Sequence, residues 1–312
     1  MSGVGVRGFI SNFILALLAP SAFAVTANVG IESIESQTEA RIEASEQTTD
    51  TGLGRYLGIS YFGEATGPSI GSLNTPTSTV HAADQYGEAV QMNLYNDLRL
   101  EYKTRKTFNV SVSTRFELLP FYDPTIIDEN GLPTEKKYFN MLNSRVGLVG
   151  TLLDNGEGFT IESMFMAELP VSSVSSAQNM LVAPRVTLSP NYDLPNSRWT
   201  LGSTFIAQTF FYKGLSDANA GANDIYFYFG PYAYYKLGPK WSGTFQFNAE
   251  TTHAFGASFD YSSFILQTTN VQLGMNYKFS QNFSINPYIQ VPVDNIQLRT
   301  AYIGANLAAI LL

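Results

Sequence analysis

TFNVSVSTRFELL, Thr107 to Leu119, alternates from Phe108 through Leu118. Phe108, Val110, Val112, Thr114, Phe116 and Leu118 share one parity, and Asn109, Ser111, Ser113, Arg115 and Glu117 share the other. Side chains of a strand project alternately to two faces, so this segment reads as a strand with one apolar and one polar face. In a soluble sandwich the apolar face meets a protein core and the polar face meets water. In a membrane barrel the apolar face meets lipid and the polar face a wet interior. The alternation alone leaves both open.

The same period recurs on either side. In AVQMNLYNDLRLEYK, Val90, Met92, Leu94, Leu98, Leu100 and Tyr102 oppose Gln91, Asn93, Tyr95, Asp97, Arg99, Glu101 and Lys103. Alternation sustained this far exceeds the usual soluble strand of about 5 or 6 residues. It suits a tilted strand crossing a bilayer, which needs about 9 to 11 residues. Strands are expected near Tyr56–Ala65, Glu88–Lys103, Thr107–Leu118, Asn140–Leu153, Phe159–Leu169 and Asn179–Ser189. Six more are expected near Arg198–Tyr212, Ile225–Leu237, Trp241–His253, Leu266–Phe279, Phe283–Val291 and Ile296–Ile310. The total is about twelve, an even number as single-chain barrels require.

The connections alternate in length. Thr104–Lys106, Asp154–Glu157, Gly238–Lys240 and Ser280–Asn282 are tight, with Pro190–Ser197 as a longer exception, whereas Thr66–Gly87, Pro120–Phe139, Lys213–Asp224 and Ala254–Ile265 are long. Short periplasmic turns and longer external loops alternate in this way, and a sandwich has no reason to do so. Aromatic residues fall in two bands. Tyr102, Phe108, Trp199, Trp241, Tyr277, Phe279 and Phe283 lie toward the turns, and Phe62, Phe121, Tyr122, Phe210, Phe211, Phe227 and Phe229 toward the loops. Pro184, Pro231 and Pro287 fall inside expected strands, where a missing N–H predicts local bulges or shifted boundaries.

The chain opens with MSGVGVRGFISNFILALLAPSAFA, which has a cation at Arg7, an apolar run and a terminal Ala22-Phe23-Ala24. This layout predicts a signal peptide over residues 1–24, cleaved after Ala24, because the apolar run is shorter than the roughly 20 residues that span a bilayer. Residues 25–54 are acidic and predict a periplasmic tail or, alternatively, a helical plug for the lumen; residues 55–312 predict the barrel. There are no cysteines, which removes disulfides and thiolate chemistry. A pI near 4.8 and a net charge of −8 argue against a nucleic-acid partner.

The alternating strands, unequal connections, aromatic bands and signal peptide resemble the Gram-negative outer-membrane β-barrels of porin-like architecture. The resemblance covers nearly all of the mature chain. It implies an all-β fold, an antiparallel up-and-down transmembrane barrel. It also implies outer-membrane lipid and lipopolysaccharide as surroundings, the barrel-assembly machinery as a partner, and small hydrophilic solutes as cargo. Such chains commonly end in an aromatic residue, and Leu312 departs from that.

The polar parity then lines the lumen. Asp97, Arg99, Arg115, Glu117, Arg145, Glu162, Arg185, Glu250 and Arg299 are candidates for a constriction whose opposed charges select ions, or for paired filling of a narrow interior. Tyr226, Tyr228, Tyr232 and Tyr234 share the inward parity and are candidates for an aromatic track, or for hydrogen-bonded filling. His81 and His253 are the histidines available as a base. His253 precedes Ser258 and Ser262, but a water-exposed loop histidine is the plainer reading, and no enzyme, cofactor or metal is expected. SDANAGAND, Ser216 to Asp224, has calcium-loop oxygen types without the spacing or the distal glutamate. The function expected is a passive pore. A closed structural or surface-interaction barrel is the alternative, and an outer-membrane hydrolase lies further behind.

Overall fold

The computed structural model describes residues 56–69, 93–104, 107–118, 139–216, 219–267, 269–293 and 301–312. The expected signal peptide, the acidic segment, His81 and Arg299 lie outside these residues. The chain runs through β1 (Leu57–Ser69), β2 (Asn93–Tyr102), β3 (Phe108–Leu118), β4 (Phe139–Met141) and β5 (Ser144–Asp154). It continues through β6 (Phe159–Leu169), β7 (Met180–Asp193), β8 (Trp199–Thr209), β9 (Phe211–Tyr212) and β10 (Asn223–Lys236). Then follow β11 (Trp241–Ala254), β12 (Phe264–Leu266), β13 (Asn270–Lys278), β14 (Phe283–Pro292) and β15 (Tyr302–Ile310). β4, β9 and β12 are short pieces paired at the loop end. The other twelve pair antiparallel in chain order, and β15 pairs back onto β1 in the register Ser60 with Ile310, which closes a twelve-stranded barrel.

Closure gives each parity a single solvent. On the outer face Leu100, Val112, Phe205 and Leu273 are 48%, 47%, 44% and 58% exposed, while on the inner face Ser111, Arg115, Thr204 and Gln208 are buried. This is the reverse of a soluble protein, which rarely exposes an apolar patch beyond a few hundred Å². An apolar belt that encircles the whole molecule is stable only against lipid, so the structure resolves the ambiguity of TFNVSVSTRFELL: its valines face acyl chains and its serines face the lumen.

Ring contacts link neighbouring members of the turn-end girdle. Trp199 lies 4.8 Å from Tyr235, Trp241 4.4 Å from Tyr277, Tyr277 4.7 Å from Phe279, and Phe279 5.1 Å from Phe283. At the loop end Phe205 meets Phe229 at 4.9 Å and Phe116 meets Phe139 at 5.6 Å. Two members of the expected loop-side band are displaced from it. Phe62 is buried inside with Tyr95 and Ala308, and Phe210 packs on the interior cluster of Ile206, Tyr226 and Tyr228. Phe62 shares parity with Ser60 and Glu64, so its face was legible. Phe210 likewise shares parity with Thr204, Ile206 and Gln208, and the parity carries through the break into β9, where Phe211 points outward.

The exceptional Pro190–Ser197 connection is shorter than expected, because β7 continues to Asp193 with Pro190 paired to Ile161. Strand prolines are accommodated mostly without bulges. Pro231 pairs with Ser203 and Pro287 with Ala305, and on the opposite side the ladder skips the proline and resumes in the same register. Proline has no N–H, so only the neighbour that it would have served loses a bond. Pro184 differs, since it lies opposite the break between β8 and β9.

Candidate functional site: the barrel lumen

All the described charged candidates except Glu117 are buried on the inner face, and Glu117 is partly exposed near the loop end. β3, β5, β6 and β7 are consecutive in the sheet and bring Arg115, Arg145, Glu168 and Arg185 together. One Glu168 carboxylate oxygen pairs with Arg115 Nη2. The other lies 3.5 Å from Arg145 Nε and accepts from Gln208 Nε2 at 3.0 Å. Arg115 Nε also donates to the Asn143 carbonyl at 2.8 Å. Asn143 in turn donates to Ser175 Oγ at 2.7 Å and accepts from the Ser172 amide at 3.1 Å, which anchors the short helix Ser173–Ala177 against the cluster.

Elsewhere on the wall Arg99 Nη1 lies 3.8 Å from Glu101, and Asp97 stands in register with Arg115. Glu117 accepts from Asn140 Nδ2 at 3.2 Å. Glu162 lies on the inward face of β6 below the Met164 and Met166 side chains, and Glu250 on that of β11. On the opposite half of the sheet Glu64 of β1 accepts from the Tyr288 hydroxyl of β14. Basic side chains therefore concentrate on β3 to β7, and Glu64 and Glu250 face them from β1 and β11.

Glu168 and Glu64 were absent from the sequence-derived set, although both lie on the inward parity of their strands. The signal was available: Glu168 shares parity with Glu162, and Glu64 with Ser60 and Phe62. Nothing local marks Glu168 as the carboxylate that pairs with Arg115 and Arg145, because those partners arrive from other strands.

The four tyrosines of β10 keep one parity through Gly230-Pro231 and are all buried. Tyr228 donates to Asn248 Oδ1 at 2.6 Å, and Tyr232 donates to Asn191. The rings of Tyr228 and Tyr232 lie against glycines. A Cβ built on Gly202 would stand 2.6 Å from the Tyr232 ring, and one on Gly230 would stand 2.5 Å from Tyr228 Cζ. Tyr288 covers Gly304 in the same manner. Gly202 and Tyr232 are direct cross-strand partners, so the ring fills the place a side chain would take. Gly202→Ala is therefore expected to push Tyr232 off the wall and to destabilise the barrel by about 1 to 3 kcal/mol, read as a lower urea midpoint after refolding into detergent.

His253 is buried, against the expectation of a water-exposed histidine. Its Nδ1 lies 2.6 Å from Asp224 Oδ1 and its Nε2 3.3 Å from the Ser258 carbonyl oxygen. Phe259 and Phe264 flank the ring at 5.4 and 5.0 Å. The Ser258 hydroxyl donates to Asp260 instead of reaching the imidazole. The arrangement pins the loop after β11 to the start of β10 and supplies no nucleophile. Asp260 Oδ1 caps that loop by accepting from the amides of Ser262 and Ser263, and the hydroxyls of Ser262 and Ser258, followed by these amides, hold its carboxyl pKa below the ordinary value. In SDANAGAND the Asn219 side chain donates to the carbonyls of Gln178 and Gly214 and accepts from the Ser216 amide, so it ties two loops together.

No protein-family model and no curated protein sequence matches this chain. Among solved structures it is similar to the outer membrane channel from Pseudomonas putida F1, with a TM-score of 0.51 and 11% identity over 82% of this chain and 94% of that one. The fold is that of an outer-membrane β-barrel. The NanC porin aligns with a TM-score of 0.45 and 8% identity over 82% of this chain and 100% of that one. A KdgM porin solved in complex with disordered oligogalacturonate aligns at 0.41 and 10% over 81% and 98%. At such identities the likeness bears on the fold alone, and the lumen must be read from its own residues.

Proposed function

We propose that this barrel resides in the bacterial outer membrane and works as a passive, non-enzymatic pore for small hydrophilic solutes. The observation that carries the reading is the inner wall, whose inward positions are predominantly polar or charged from Ser189 and Glu101 near the turns to Glu168 and Glu250 near the loops. Such a wall is costly in a dry interior and is solvated in a wet one. Solutes would cross by diffusion, filtered by the arginine and carboxylate side chains that narrow the passage. Lipopolysaccharide, the surrounding lipid and the assembly machinery belong to the same proposal. So does the division into a signal peptide over 1–24, an acidic segment over 25–54 and a barrel over 55–312.

One observation favours the closed structural barrel. Arg115, Gln208 and Gln290 are at most 2% exposed, as in a filled interior. Planar-bilayer recording separates the two. The full chain and a variant lacking residues 25–54 are each reconstituted, and discrete conductance steps are expected from at least one. Silence from both, with folded barrel demonstrated in the membrane, would reject the pore.

A further inference from the structure

We infer that the guanidinium of Arg185 is an oxyanion-binding site in the lumen, which takes the carboxylate or phosphate group of a solute. The inference deepens the pore reading and rests on it for its physiological meaning. β7 puts Arg185 on the inward face between Met166 of β6 and Gln208 of β8. The side chain is 2% exposed. Its Nε donates to Thr187 Oγ1 at 3.5 Å, and both terminal nitrogens, Nη1 and Nη2, are buried without a hydrogen-bond partner. The nearby carboxylate is already engaged, since Glu168 holds Arg115, Arg145 and Gln208. Arg115, Arg145 and Arg185 lie around Glu168, and Asp97 stands in register with Arg115, so three guanidiniums meet two carboxylates and leave a local excess of positive charge. The terminal N–H groups of Arg185 form a planar fork, which matches a carboxylate or phosphate edge in bidentate fashion.

Among the described residues the remainder of the wall is predominantly acidic, with Glu64, Asp97, Glu101, Glu162 and Glu250 on other strands against Arg99. The positive site is therefore local, and ligand block reports on it more directly than bulk ion selectivity. Potassium chloride conductance is measured with added inorganic phosphate or acetate at constant ionic strength. Both anions are expected to reduce the wild-type current, and the half-blocking concentration is expected to rise about tenfold in Arg185→Gln, the scale of a lost charge-assisted pair. The anion that blocks at the lower concentration identifies which of the two groups the fork prefers.

A second measurement needs no pore. Phosphate should raise the unfolding temperature of the wild-type barrel in detergent and leave that of Arg185→Gln unchanged. Heat-dependent gel mobility checks that the variant folds. Arg185→Lys, which keeps the charge and loses the fork, serves where it does not, and should give a reduced effect. Stabilisation without conductance would reject the pore and retain the site. Conductance with neither block nor stabilisation, or with equal effects in wild type and variant, overturns the site.

Discussion

Glu168→Gln is expected to lower the unfolding free energy of the barrel by about 3 to 5 kcal/mol, the cost of breaking a buried ion cluster from one side. The carboxylate sits 3% exposed among guanidiniums, pairs with Arg115 and Arg145, and accepts from Gln208. An amide of the same shape retains the packing but removes the charge that offsets three neighbouring cations. The measurement is urea unfolding of the variant refolded into detergent or short-chain lipid. A partner test sharpens it. If the loss arises from uncompensated guanidiniums, Arg115→Gln added to Glu168→Gln should cost less than the two changes separately, because the second removes a charge the first left unbalanced. A shift below about 0.5 kcal/mol for Glu168→Gln would instead mean that water solvates the arginines, as in a wide lumen.

Val112→Arg is expected to destabilise the barrel by about 2 to 4 kcal/mol when measured in a bilayer, the range found for a cation on the lipid face near the midplane. Val112 is 47% exposed and lies at the middle of β3, in register with Leu100 of β2 and Val146 of β5. On a water-facing surface a half-exposed valine tolerates arginine within about 0.5 kcal/mol. The two solvents therefore predict different magnitudes at one position. A near-neutral result in bilayers would contradict a lipid-facing β3.

How much of this was legible beforehand differs by feature. β6 spans Phe159–Leu169, the same residues expected from the alternation, because parity there is clean and both ends are marked by turn chemistry. At its start Asn155 accepts from the amides of Glu157 and Phe159, and Gly156 adopts a φ of 68°, which a small residue reaches without strain. The expected strand Asn179–Ser189 stops short of β7, which runs on through Pro190 to Asp193. A proline interrupts pairing on only one side of a strand: Pro190 still pairs with Ile161 of β6, and the ladder to β8 skips it and resumes at Asn191. The inward direction of Arg115, Arg145 and Arg185 and of the β10 tyrosines followed from the same alternation.

Alternation is carried by the chain locally, since successive side chains must point to opposite faces, and together with the unequal connections and the aromatic bands it let the sequence by itself determine the barrel class, the lipid-facing and lumen-facing parities and the approximate strand count. Partnership is not local. Arg115 and Glu168 are 53 residues apart, and Glu64 and Tyr288 are 224 apart. Only register and ring closure decide which inward residues of different strands stand at one height. The tertiary structure therefore decided that Glu168 pairs with Arg115 and Arg145, that Tyr232, Tyr228 and Tyr288 lie against Gly202, Gly230 and Gly304, and that the terminal nitrogens of Arg185 have no hydrogen-bond partner. A one-residue slip of any strand would exchange its two faces, so these contacts depend on the register of the whole ring.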